Sequence, residues 1–209
     1  SAASDVYKRQ VEGLKKAMFE DPVEDTRCVL HCEMKNEGFK TASKVQYVAR
    51  VGNFIDNGAD YTGALQILKV ILSYDYLWQN IRVKGGAYGC MSGFSRTGEG
   101  YFVSYRDPNL ERTMEVYEGI ADYLRNFTVS DRDMNKYIIG TMSNIDQPMT
   151  PSAKGDRSFN LYMNKVSAET IKKERLQILE AGQEDIRKLA DVVEAVMKAE
   201  QVCVIGSEE

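Results

Sequence analysis

The sequence predicts an α+β fold: one mostly antiparallel sheet with helices packed on one face. Three observations carry that reading. Two runs of period-2 character flank the turn RTGEG and make a hairpin. Several helical runs follow one another with no strand between them. The regular strand–helix alternation of a parallel α/β sheet is missing.

Taken in order, 8–19 reads as a short amphipathic helix closed by Asp21-Pro22, and 27–34 as a strand. KVQYVARVGNF (44–54) alternates most strongly and places Val45, Tyr47, Ala49 and Val51 on one face. The turn DNGAD leads into YTGALQILKVILSYDYLWQNIR (61–82), whose apolar residues at 64, 65, 68, 71, 72 and 78 predict a long, largely buried helix. Gly85-Gly86 ends it. AYGCMSGFS (87–95) and YFVSYRD (101–107) are the hairpin strands. Asp107-Pro108-Asn109 opens the next helix with an acidic N-cap and Pro at its first position. That helix runs to about Phe127 and buries Met114, Tyr117, Ile120, Ala121 and Leu124. Ser130 starts another in capping-box style, Thr150-Pro151 a third, and Ser167 a fourth that ends at Ala181-Gly182. Residues 183–198 make a fifth, and QVCVIG returns as a strand.

Length and composition narrow the function. With 209 residues, 43% hydrophobic and 28% charged, the chain has the make-up of a globular protein with a substantial core. A net charge of −4 argues against nucleic acid as a partner, since that requires a basic surface. No apolar run approaches the roughly 20 residues of a membrane span, so no membrane association is expected. The opening SAASDVYKRQ lacks Met and reads as a start foreign to the domain. The expected compartment is reducing, cytoplasm or organelle matrix, because the four cysteines show no disulfide spacing. Cys28, His31 and Cys32 look like metal ligands at first. In a strand, however, the two cysteines share a face about 13 Å apart and His31 points the other way, so a strand lining is expected and no metal site.

IRVKGGAYG (81–89) is the segment that points to function. Its glycines beside Arg82 and Lys84 could form a phosphate cradle, a helix stop, or one lip of a catalytic site. A phosphate loop needs glycines ahead of a helix, at its positive end. Here they follow the helix, where the partial charge is negative. A helix stop explains the glycines, with Gly85 or Gly86 left-handed, but says little about Tyr88. One histidine cannot supply a two-histidine zinc motif, and a Ser-His-Asp triad would have to use His31. From the residues alone, the chain positions a few polar groups and is not a complete active site.

LWQNIRVKGGAYG (77–89) resembles a segment from the C-terminal half of the pitrilysin/insulysin family of zinc metallopeptidases, in its presequence-protease branch. NEGFKTASKVQYVARVGN, FVSYRDPNLERTMEVYEG, IIGTMSNIDQPMTPSAKG and ADVVEAV resemble that branch in the same order. The resemblance implies a weakly matched lead-in over 1–35 and a C-terminal non-zinc domain over 36–209, with its final edge expected to be missing. It implies that zinc is carried by the N-terminal half of the same enzyme, which would be this chain's partner around an unstructured peptide substrate. Arg82 and Tyr88 match the family's arginine and tyrosine that reach the site across the chamber. They would contact substrate and transition state, with Gly85 and Gly86 letting the peptide approach. The fragment alone is then expected to be inactive. A non-catalytic peptide-binding or scaffold subunit of the same fold is the alternative.

Overall fold

The computed structural model describes residues 2–18 and 35–207, with the side chains of 2–4 excepted. The strand expected at 27–34, with Cys28, His31 and Cys32, lies outside the described residues. The chain divides into two compact units, Ser1–Glu33 and Met34–Glu209. The first contains helix α1 (Ala2–Lys16), which begins earlier than its amphipathic pattern suggests.

In the second unit the chain runs β1 (Glu37–Thr41), β2 (Gln46–Asn53) and α2 (Ala64–Ile71). Helix α2 continues into two π-helical segments, Leu72–Tyr76 and Trp78–Val83. Then come β3 (Gly89–Phe94), β4 (Glu99–Asp107), α3 (Leu110–Glu118), α4 (Ile120–Arg125), α5 (Asp131–Ile145), α6 (Pro151–Met163), α7 (Ala168–Leu179), α8 (Gln183–Met197) and β5 (Gln201–Ser207). The five strands lie in the order β1-β5-β2-β4-β3. Every neighbouring pair is antiparallel except β1 and β5, which run parallel. The architecture is α+β, as expected, but the sheet is mixed. Strand β1 was not anticipated, because EGFKT is almost wholly exposed and has one large apolar residue, leaving no alternation to read.

The helices cover one face. Val48 and Gly52 of β2, Phe102 and Ser104 of β4 and Ser92 of β3 are buried beneath them. Leu65, Leu68, Ile71, Leu72, Leu77 and Ile81 of the long helix join Ile120, Leu124, Ile186, Val193 and Val196 in one core. The alternating residues Tyr47, Ala49 and Val51 lie on the other face, with Tyr47 exposed and Ala49 and Val51 half-buried.

The helix caps follow the sequence closely. Ser130, Thr150 and Ser167 each accept a bond from the backbone N–H three residues on. One expected cap changes. The N-cap of α3 is Asn109, and Asp107 instead lies fully buried just before it. The long helix expected to reach Phe127 is divided at Gly119, where a Cβ would come within 2.6 Å of the Tyr76 hydroxyl. Among the described residues no helix is long and apolar enough to cross a membrane.

Helix α8 presses hardest on the sheet at Gly52, where a Cβ would sit 2.1 Å from the Val196 carbonyl oxygen. Neither backbone can yield that distance locally. Gly52→Ala is expected to destabilise the chain by about 1–3 kcal/mol through overpacking, read as a lower denaturation midpoint. A midpoint equal to wild type would show that the helix–sheet contact is looser than described.

Candidate functional site

The site begins with the way the long helix ends. Leu72, Leu77 and Ile81 are fully buried and spaced five and four residues apart. A π turn takes nearly one residue more than the roughly 3.6 of an α turn, and that spacing keeps all three inward. The bonds agree: Leu77 N–H reaches the Leu72 carbonyl, and Lys84 N–H the Gln79 carbonyl at 3.0 Å. Trp78 and Arg82, four residues apart, lie on the same side of the helix and stack, with the guanidinium 4.1 Å from the indole centroid. Such a contact is worth about 0.5–1 kcal/mol on an exposed surface. The sequence placed Trp78 on the buried stripe; the π register turns it partly outward, 36% exposed.

Closure of the helix follows from the same register. Gly86 N–H bonds the Arg82 carbonyl at 2.9 Å and Ala87 N–H bonds the Ile81 carbonyl at 3.1 Å. Both spans are one residue wider than in an ordinary glycine-ended α-helix. Gly86 is the left-handed residue, at φ 78. Gly85 is needed for space, since a Cβ there would meet the Ile81 carbonyl oxygen at 2.4 Å. Both glycines are thus explained by the helix stop. Their contact with substrate remains a separate proposal.

The turn is held from α3. The Asn109 side-chain amide donates to the Gly85 carbonyl at 2.5 Å, and the Arg112 guanidinium donates to the Lys84 carbonyl at 3.1 Å. Asn109 is in turn fixed by Asp107, whose carboxylate accepts from the Asn109 N–H at 2.9 Å and the Thr113 hydroxyl at 2.6 Å. Behind the turn, the Tyr76 hydroxyl donates to the Val116 carbonyl at 3.0 Å, and the Tyr137 hydroxyl donates to Asp75. Burial, with Asp75 adding to it, raises the Tyr137 phenol well above its ordinary range. Tyr137 therefore stays a neutral donor and ties the π segment to α5.

Tyr88 leaves this turn at the head of β3. Its N–H bonds the Arg106 carbonyl at 3.2 Å. Its ring lies 5.6 Å from that of Tyr105, with the Arg82 guanidinium 5.9 Å from its centroid and the Arg106 guanidinium 5.4 Å. Arg82 and Tyr88, 59% exposed, are therefore neighbours on open surface. The cavities among the helices lie elsewhere; the one of about 730 Å³ is bounded by Arg96, Thr97, Arg157 and Asn160. Sequence reasoning missed Trp78, Arg106, Asn109 and Arg112 as parts of this cluster. The i,i+4 spacing of Trp78 and Arg82 was a signal for the first; nothing local marked the others.

Chemically the cluster offers a phenol O–H and two guanidinium forks, all donors. It holds no nucleophile. Burial pushes the Cys90 thiol up to about 11, against the opposing pull of Arg82. Among the described residues no three His, Cys, Asp or Glu side chains come together as a metal site, so they do not fit a resident zinc ion.

The sequence matches a family model, the PreP C-terminal domain, over residues 36–208. It is 47% identical over 175 residues to "Protein HypA" of Clostridium perfringens, covering 84% of this chain and 18% of that protein. To presequence protease 1, chloroplastic/mitochondrial, of Arabidopsis thaliana it is 33% identical over 178 residues, covering 84% and 16%. The chain thus spans less than a fifth of either relative. Among solved structures, a protease from Helicobacter pylori superposes with a TM-score of 0.64 at 15% identity, over 94% of this chain and 52% of that one. Pitrilysin gives 0.58 at 15% identity, over 83% and 19%. These likenesses are of fold.

Cys90 provides a check on the electrostatics. A thiol held near 11 rather than the usual 9 carries about 100-fold less thiolate at pH 8. Alkylation of Cys90 in the folded chain should be slower than in the urea-unfolded chain by about that factor, and should accelerate up to pH 11. Equal rates in the two states would contradict it.

Proposed function

The chain belongs to the family of PreP C-terminal domains, and from that premise we propose that it is the non-zinc half of a peptidase site that cuts unstructured peptides. The observation that carries the reading is the convergence of Arg82 and Tyr88, two exposed side chains with the guanidinium 5.9 Å from the centre of the phenol ring. Presequence protease 1, among the relatives, is by name a protease of organelles; cytoplasm or organelle matrix is the compartment proposed here.

Peptide hydrolysis builds negative charge on the carbonyl oxygen under attack. A donor aimed at that oxygen lowers the barrier when it binds the transition state more strongly than the ground state. Tyr88, pinned through its backbone to β4, would donate a hydrogen bond from its hydroxyl to that oxygen. Arg82, braced on Trp78, would hold the peptide backbone through its fork of N–H groups. The exposed Gly86 would leave room for the peptide to pass, while Gly85 is buried beneath it. Zinc belongs, in this reading, to the N-terminal half, and no group in the described residues replaces it.

The test is reconstitution. This chain is mixed with the zinc-bearing N-terminal half of a family member, and hydrolysis of a quenched fluorescent peptide is followed. Cleavage should appear only in the mixture. Tyr88→Phe should lower kcat by about 100-fold with the unfolding midpoint unchanged, and Arg82→Ala should raise KM. Binding of the two halves without cleavage would favour the scaffold alternative. Turnover unaffected by Tyr88→Phe would reject the oxyanion role.

A further inference from the structure

Strand β4 ends in a bulge. Its register against β2 slips between Gln46, which pairs with Asp107, and Tyr47, which pairs with Tyr105, leaving Arg106 as the extra residue. Arg106 sits at φ 49, the left-handed conformation that glycine fills most easily in such a bulge. An arginine there is strained where glycine would not be. What the bulge gains is aim: it sets the Arg106 guanidinium 5.4 Å from the centroid of the Tyr88 ring, which the Arg82 guanidinium approaches at 5.9 Å.

Neither Arg82 nor Arg106 has a carboxylate partner among the described residues. The adjacent Asp107 is fully buried and already accepts from Asn109 and Thr113. Lys84 and Arg112 add two further cations to the same turn. A chain of net charge −4 thus sets two guanidinium groups 5.4 and 5.9 Å from the centre of one exposed ring. Guanidinium groups brought together repel one another unless an anion lies between them, and a carboxylate suits their planar forks best.

We propose that Arg106 and Arg82 form a carboxylate-recognition pair beside Tyr88, with Arg106 the residue that selects peptides carrying a carboxylate near the bond to be cut. The proposal deepens, and rests on, the peptidase reading of Arg82 and Tyr88. A carboxylate accepts two parallel N–H bonds from a guanidinium; the isosteric amide presents a single acceptor oxygen and no charge. An acidic side chain and a C-terminal α-carboxylate offer the same group.

The chain's single tryptophan is Trp78, and its emission reports on Arg82 directly. The 209-residue chain is titrated with matched C-terminally amidated peptides carrying Glu, Gln or Lys at the centre, and with the Gln peptide bearing a free C-terminal acid. At low salt the Glu peptide should bind about fivefold more tightly than the Gln peptide, with the Lys peptide weakest. A gain for the free-acid peptide instead would assign the α-carboxylate as the group recognised. Arg106→Gly should abolish the preference while the unfolding midpoint stays level or rises, since glycine relieves the strained backbone. Arg106→Glu should favour the Lys peptide. Equal affinities for all four peptides, no response to any of them, or a preference that survives Arg106→Gly would overturn the proposal. If that happens while Tyr88→Phe still lowers kcat, the catalytic reading stands without the carboxylate pair. A preference that holds while Tyr88→Phe leaves turnover unchanged would keep the pair and reject the catalytic role.

Discussion

The long helix from Ala64 to Val83 has to bury Leu72, Leu77 and Ile81 on one side and still stop at Gly85 against the start of β3. An α-helix would carry the last of these residues away from the core. The π register resolves this, and the rest of the site depends on it. It widens the closing bonds of the glycine turn by one residue and delivers Tyr88 beside Arg82, which rests on Trp78 four residues before it. Runs of π-helix are uncommon, since their backbone geometry is poorer than that of an α-helix, and they recur where function needs a side chain re-aimed. Here the aimed group is Arg82.

The turn is then held from outside. Buried Asp107 would be costly without partners; its two hydrogen bonds satisfy it and fix Asn109, which grips the Gly85 carbonyl. The same short segment, Tyr105 to Asn109, contributes the ring against Tyr88, the strained Arg106 and the clip on the turn. One strand end thus supports three functions of the site. Precise placement of donors demands this kind of backing, because a side chain positioned only by a loop leaves its aim loose.

Much of this was legible in the sequence and some was not, for physical reasons. Caps such as Ser130, Thr150 and Ser167 are local chemistry, and each appears where its residue type predicts. The hairpin and the order of helices were equally readable; Arg82 and Tyr88 were named through family resemblance, and the structure makes them neighbours. The π register was hidden because it follows from burial in three dimensions. A 3.6-residue period fitted to 61–82 put Trp78 inside and passed over Leu77 and Ile81. Strand β1 escaped because an exposed edge strand has no alternation, and its parallel partner β5 lies 160 or more residues away. Arg106 was invisible for a similar reason: a bulge depends on the register of the opposite strand, which no stretch of one strand encodes.

In the proposed peptidase site, this turn presents Tyr88 and Arg82 to one peptide bond. The most direct measurement is a structure of the chain assembled with the zinc-bearing half and an uncleaved peptide. The Tyr88 hydroxyl should lie about 2.7–3.1 Å from the scissile carbonyl oxygen, with the Arg82 guanidinium on the backbone of the same peptide. A peptide seated with that carbonyl out of reach of both side chains would contradict it.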